Sequence, residues 1–161
     1  MNQPNLPAGA KQVKLTQEEI ERAAMLGVRR NAEAAVRNSK ARWGGLSTCW
    51  NGHIQGSLAD MAFAKWMNCY WEGHTSTYTQ KADVAGCEVR WSSNNKLKRK
   101  DSDALDQKYI LVIGEAPVMT ICGWIWGHEF QKLGVFEDPG QRGKPAWFVD
   151  AIKLRPLSDL N

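Results

Sequence analysis

Asp83-Val84-Ala85-Gly86-Cys87-Glu88-Val89-Arg90 reads as the end of one strand, a tight glycine turn and the start of a second strand. Side chains alternate along a strand, so Glu88, Arg90 and Ser92 share one face of it and Cys87, Val89 and Trp91 the other. One face gathers a carboxylate and a cation, and the opposite face is apolar. Asp83, just across the turn, reaches the same spot. Two convergent acids beside a fixed positive charge can hold a divalent metal and stabilise a reacting phosphate.

Downstream, Tyr109 to Ile113 is a continuous apolar run that suits a central strand. Gly114-Glu115-Ala116-Pro117 is a turn and Val118 to Trp126 its partner strand. Gly127-His128-Glu129-Phe130 opens a short helix, 134–145 is a Gly/Pro loop, and Trp147 to Val149 a last short strand. Residues 94–107 are polar, with Lys96, Lys98, Arg99 and Lys100 close together, and read as a mobile basic loop beside the acids.

Upstream, 75–80 suits a strand. Before it, a helix runs from His53 to Tyr70 and is apolar nearly all round through Ile54, Leu58, Met61, Phe63 and Trp66, the pattern of a buried helix. One stripe differs: Gly56, Ser57, Asp60 and Ala64. An acid there needs a partner, because burying it alone is costly. Thr16-Gln17-Glu18-Glu19 is a capping box that opens an earlier helix. Its acids come first and Arg29, Arg30, Arg37 and Lys40 late, which suits the helix dipole. Its thin stripe of Ile20, Ala24 and Val28 predicts a peripheral helix. Residues 1–14 read as a flexible N-terminal lead and 15–161 as one domain.

The 161 residues, 43% hydrophobic and 24% charged, fit an ordinary globular chain, and a net charge of +4 is compatible with a polyanionic partner without requiring one. No apolar run is long enough to span a membrane and the N-terminus has no apolar signal region, so the expectation is a cytoplasmic protein with free thiols. For a viral chain this means the host cytoplasm. Cys49/His53 and Cys69/His74 mimic zinc spacing, but a helix from His53 to Cys69 spans roughly 24 Å, too far for one tetrahedral site.

The order of these parts, a helix bearing Asp60, a turn bearing Asp83 and a strand bearing Glu88-Val89-Arg90, resembles the PD-(D/E)XK nuclease superfamily. Asp83 matches the first Asp of its motif, Glu88-Val89-Arg90 its (Asp/Glu)-x-Lys, and Asp60 the helical Glu of many members. Gly123-Trp124-Ile125, and Phe148-Val149 followed by Leu154-Arg155-Pro156, look like small phage-encoded members, and the likeness covers about residues 50 to 157. The resemblance implies an α/β restriction-endonuclease-like core, a mixed, mostly antiparallel sheet flanked by helices. It also implies a metal-dependent endonuclease hydrolysing DNA to a 3′-hydroxyl and a 5′-phosphate. Many members dimerise to cut two strands, so a homodimer or higher homo-oligomer is compatible with it.

Such chemistry needs Mg²⁺ or Mn²⁺, which prefer hard oxygen ligands. Asp83 and Glu88 would be direct ligands, the Val89 carbonyl a third by family analogy, and Asp60 the holder of a second ion or its water. Arg90 would face the phosphate. It replaces the family's Lys, and Arg stays charged, so it stabilises negative charge without shuttling protons. Lys81 or Lys96 could supply a displaced amine. Lys96, Lys98, Arg99 and Lys100 would contact DNA phosphates, with Arg29, Arg30, Arg37, Lys40 and Arg42 as a second basic set.

Each motif has a plainer reading. Glu88 and Arg90 can be a same-face pair of little energetic worth. Asp83 before Ala-Gly can be turn chemistry. Trp43, Trp50, Trp71 and Trp91 can pack rather than stack on bases, and His53 can open a helix rather than move a proton. Two rival functions follow: an inactive nuclease-fold module that binds nucleic acid, and a viral protein-interaction module.

Overall fold

The computed structural model describes residues 5–37, 46–75 and 82–161, with the backbone alone for 46–49. In chain order its elements are β1 (Lys11–Lys14), α1 (Gln17–Arg37), α2 (Leu46–Trp66), β2 (Cys87–Trp91), β3 (Lys96–Lys100), β4 (Lys108–Glu115), β5 (Val118–Trp126), α3 (Phe130–Leu133), β6 (Val135–Glu137) and β7 (Ala146–Asp150). The first sheet has the order β1-β5-β4-β2, and the second β3-β7-β6. Among the described residues only the β2/β4 pair is parallel; the other pairings are antiparallel. This is an α/β fold with a mixed, mostly antiparallel sheet and flanking helices.

The apolar run in β4 explains the layering. Ile110 and Val112 point into one core with Cys87, Val89, Leu58 and Phe63, beneath the two long helices. Tyr109, Leu111 and Ile113 point into a second core with Leu97, Val149 and Phe130. The first sheet is therefore a wall with helices on one face and the small sheet on the other. A strand buried on both faces reads as unbroken apolar sequence rather than as alternation.

Several local expectations are corrected. Lys11–Lys14 is not part of a free lead: it pairs antiparallel with β5, and Leu15 N–H donates to the Pro117 carbonyl at 2.7 Å. The polar stretch after Asn95 is a strand rather than a mobile loop, with Lys96–Lys100 in register with Asp150–Ala146. The helix expected over His53–Tyr70 runs Leu46–Trp66. It stops there because Asn68 takes a left-handed φ of 51°, letting Cys69 N–H close back on the Ala64 carbonyl at 3.0 Å. The 134–145 loop contains the three-residue strand β6. Residues 76–80 of the strand expected over 75–80 lie outside the described residues, as do Lys40, Arg42, Trp43 and Lys81.

The capping box holds: Thr16 N–H donates to Glu19 Oε2 at 2.7 Å, and Glu19 N–H to Thr16 Oγ1 at 3.3 Å. The helix it opens is not peripheral. Ala23, Leu26, Gly27 and Asn31 are buried, while Val28 of the expected stripe is exposed. α2 packs close against Gly27, where a Cβ would sit 2.5 Å from Ile54 Cα. Gly56, one of the small residues on the Asp60 stripe of α2, has open space beside it.

Candidate active site

The turn is a two-residue hairpin. Val84 and Cys87 exchange backbone hydrogen bonds at 3.2 and 2.8 Å, and Ala85 and Gly86 both take positive φ, 49° and 75°. Of the strand expected before it, the described residues show the Val84 bridge. The turn swings Asp83 back over β2, where its Oδ2 accepts the Val89 N–H at 3.0 Å. Among the described residues β2 is an edge strand, paired with β4 alone. A residue's N–H and C=O point the same way along a strand, so the Val89 carbonyl also faces the open edge that Asp83 covers.

The expected alternation is present in β2. Cys87 and Val89 are buried under α2, while Glu88 and Arg90 point to the opposite face. Arg90 lies 3.3 Å from Glu88, 3.6 Å from Asp103, and 5.8 Å from the centre of the Tyr109 ring. Burial, then the charge of Asp83, pushes the Glu88 carboxyl up, and Arg90 pulls it partly back.

Asp60 stands on the other side of this strand. It is 2% exposed in the wall of α2, and its partner is Arg30 of α1. The Arg30 guanidinium donates to Asp60 Oδ2 at 2.9 Å, to Ser57 Oγ at 3.3 Å and to the His74 carbonyl at 2.9 Å. Gly27, one turn earlier in α1, permits the helix crossing that makes this reach possible. Burial raises the Asp60 carboxyl well above the ordinary range; Asp83 adds to this and Arg30 opposes it. His53, half-buried nearby, is held below the usual histidine range by burial and then by Arg30, so its ring is neutral at neutral pH.

Asp83 is thus the common neighbour, electrostatically coupled to Asp60 on one side and Glu88 on the other. The three carboxylates do not close on one another: among the described residues, no three His, Cys, Asp or Glu side chains come together as a metal-holding group. The strand between Asp60 and Glu88 is the physical reason. Asp83, Glu88 and the Val89 carbonyl offer hard oxygens, the donor type that a divalent cation takes, and the charge of Asp83 acts on Glu88. Asp60 fits less well, because a guanidinium already fills its binding direction.

The basic residues divide. Lys98 and Lys100 are exposed, and Lys96 is partly so and lies 3.6 Å from Glu137. Arg99 is corrected: it is fully buried and cannot meet a phosphate at the surface. Its Nη1 donates to the carbonyls of Lys100, Asp101 and Asp103 at 2.8, 3.3 and 3.0 Å, and its guanidinium lies 5.5 Å from the centre of the Phe130 ring. Strand alternation turns it inward beside Leu97.

Arg30 and Asp103 escaped the sequence reading as parts of this site. For Arg30 a signal existed: a glycine in mid-helix three residues before an arginine, and a lone acid on an apolar helix. Asp103 sat in a stretch read as loop. A groove of about 510 Å³ between α1 and the end of α2, walled by Arg22, Met61, Tyr70 and Trp71 among others, includes none of these acids. The chain matches no protein-family model, no curated protein and no solved structure.

Proposed function

We propose that this chain is a divalent-cation-dependent phosphodiesterase of the endonuclease type, acting on DNA. The observation that carries the reading is the position of Asp83: on the edge of β2 left unpaired among the described residues, accepting the Val89 N–H at 3.0 Å, one residue from Glu88 and its Arg90 partner. Asp83, Glu88 and the Val89 carbonyl would hold the ion. A bound Mg²⁺ or Mn²⁺ supplies charge neutralisation at the phosphate and an acidified water. Arg90 binds and orients the phosphate as a fixed cation and takes no part in proton transfer. Asp60, paired with Arg30, stands behind Asp83 rather than completing the ligand set.

Cleavage of single-stranded and duplex DNA in Mg²⁺ or Mn²⁺ tests this. Asp83→Asn and Glu88→Gln are each expected to slow cleavage by at least roughly 100-fold. They should also weaken Mn²⁺ binding, measured by calorimetry without DNA, by at least roughly 10-fold. A second reading, a binding module without catalysis, is favoured by one feature: Arg90 is engaged by both Glu88 and Asp103. Equal inactivity of the parent and both variants in every metal, with salt-sensitive DNA binding intact, would establish that reading instead.

A further inference from the structure

The second sheet carries a face whose chemistry the site above does not use. Alternation along β3 sends Leu97 and Arg99 into the core and leaves Lys96, Lys98 and Lys100 on the outer face. The register places Phe148 opposite Lys98, and exposed Val135 opposite Phe148. The Lys98 ammonium lies 5.8 Å from the centre of the Phe148 ring. Three lysines thus form a row at alternate positions, about 6.8 Å apart along the strand, beside an aromatic ring at the middle of the sheet.

The row is joined to the acidic site. Asp103 accepts the Lys100 N–H at 3.0 Å and lies 3.6 Å from Arg90. Cations crowd this junction. The Lys98 amine is held below the usual lysine range by burial, then by Lys100 and Arg90, against an opposing pull from Asp103 and Asp138. Lys96 is the one of the three with an acidic partner, Glu137, and Asp150 stands across from it. Among the described residues neither Lys98 nor Lys100 has an ion pair.

We propose that the outer face of β3-β7-β6 is a track for single-stranded nucleic acid. Lys98 and Lys100 contact successive phosphates and an unpaired base stacks on Phe148, displacing the Lys98 ammonium toward the backbone. A lysine row neutralises phosphates of any polynucleotide. The ring decides the form, because only an unstacked base offers its face to an aromatic side chain. This inference rests on the proposed DNA substrate and names its form. The track leads through Arg90 to Asp83 and Glu88.

The test measures binding in EDTA, so cleavage plays no part. The probes are a short fluorescein-labelled oligothymidylate and a duplex of the same length, each titrated at several salt concentrations. The parent chain is expected to prefer the single strand. Lys98→Gln and Lys100→Gln should each weaken binding and lower the log–log salt slope by about 0.7. Phe148→Leu, which keeps apolar bulk in place, should weaken single-strand binding at least roughly fivefold and leave duplex binding unchanged. Phe148→Tyr keeps a stacking face and should retain affinity.

Unchanged binding in both lysine variants, equal loss of single-strand and duplex binding in Phe148→Leu, a duplex preference, or equal affinity for phosphatidylserine vesicles would each overturn the proposal. Binding in EDTA needs neither a metal ion nor cleavage, so its outcome is separate from that of the cleavage assay. Loss of the track therefore leaves the cleavage reading standing, and loss of cleavage leaves the track.

Discussion

Asp60 shows how one side chain carries more information than its neighbours. An acid on an apolar helix demands a partner, and that much was legible in the sequence. Which partner was not legible, because Arg30 is one of several basic residues late in α1 and only the helix crossing selects it. With burial and Asp83 holding the Asp60 carboxyl above its ordinary range in the folded state, the folded chain retains a proton that the unfolded chain has released. Stability attributable to Asp60 therefore falls as pH rises from the ordinary aspartate range through the raised value. Asp60→Asn removes this dependence. Urea unfolding across a pH series should show the parent losing stability relative to Asp60→Asn over that window, and Asp60→Ala weaker by roughly 1–3 kcal/mol at neutral pH, with an Arg30 N–H left without its acceptor.

Elements were legible where their pattern was simple. β4 reads as an apolar run because both its faces are buried, and β2 reads as alternation because only one is. β3 did not read as a strand, because Lys-Leu-Lys-Arg-Lys offers one inward apolar residue and its second inward residue is an arginine. An arginine whose donors meet three carbonyls looks, in sequence, the same as one in solvent. The α1/α2 pair failed differently: the thin apolar stripe of α1 predicted a peripheral helix, and Gly27, the small residue that lets α2 come close, stood outside that stripe. A Cβ there would press on the Ile54 backbone, which has no rotamer to yield. Gly27→Ala is expected to destabilise by roughly 1–3 kcal/mol in chemical denaturation, although alanine favours an isolated helix. Gly56→Ala, with open space beside it, should stabilise slightly. The pair of measurements separates helix packing from helix propensity.

The three layers make a demand on the chain as a unit. Ile110 and Leu111 are adjacent in β4 yet belong to different cores, one beneath the helices and one beneath the small sheet. β4 is bonded on both sides, to β2 and β5, so loss of either core strips packing from a strand on which the other depends. The acids sit at that junction: Glu88 pairs with Tyr109 across the ladder, and Asp103 ties Arg90 to the end of β3. The expected behaviour is a single cooperative transition. Ile110→Ala and Leu111→Ala should each cost roughly 2–5 kcal/mol, as for other fully buried aliphatic truncations. In both variants, tryptophan fluorescence and far-ultraviolet circular dichroism should report the same midpoint. Separate midpoints in either variant would mean that the small sheet unfolds on its own. Asp103 would then hold Arg90 to a part of the molecule with its own stability, and the junction between the lysine row and the acids would break before the rest of the fold.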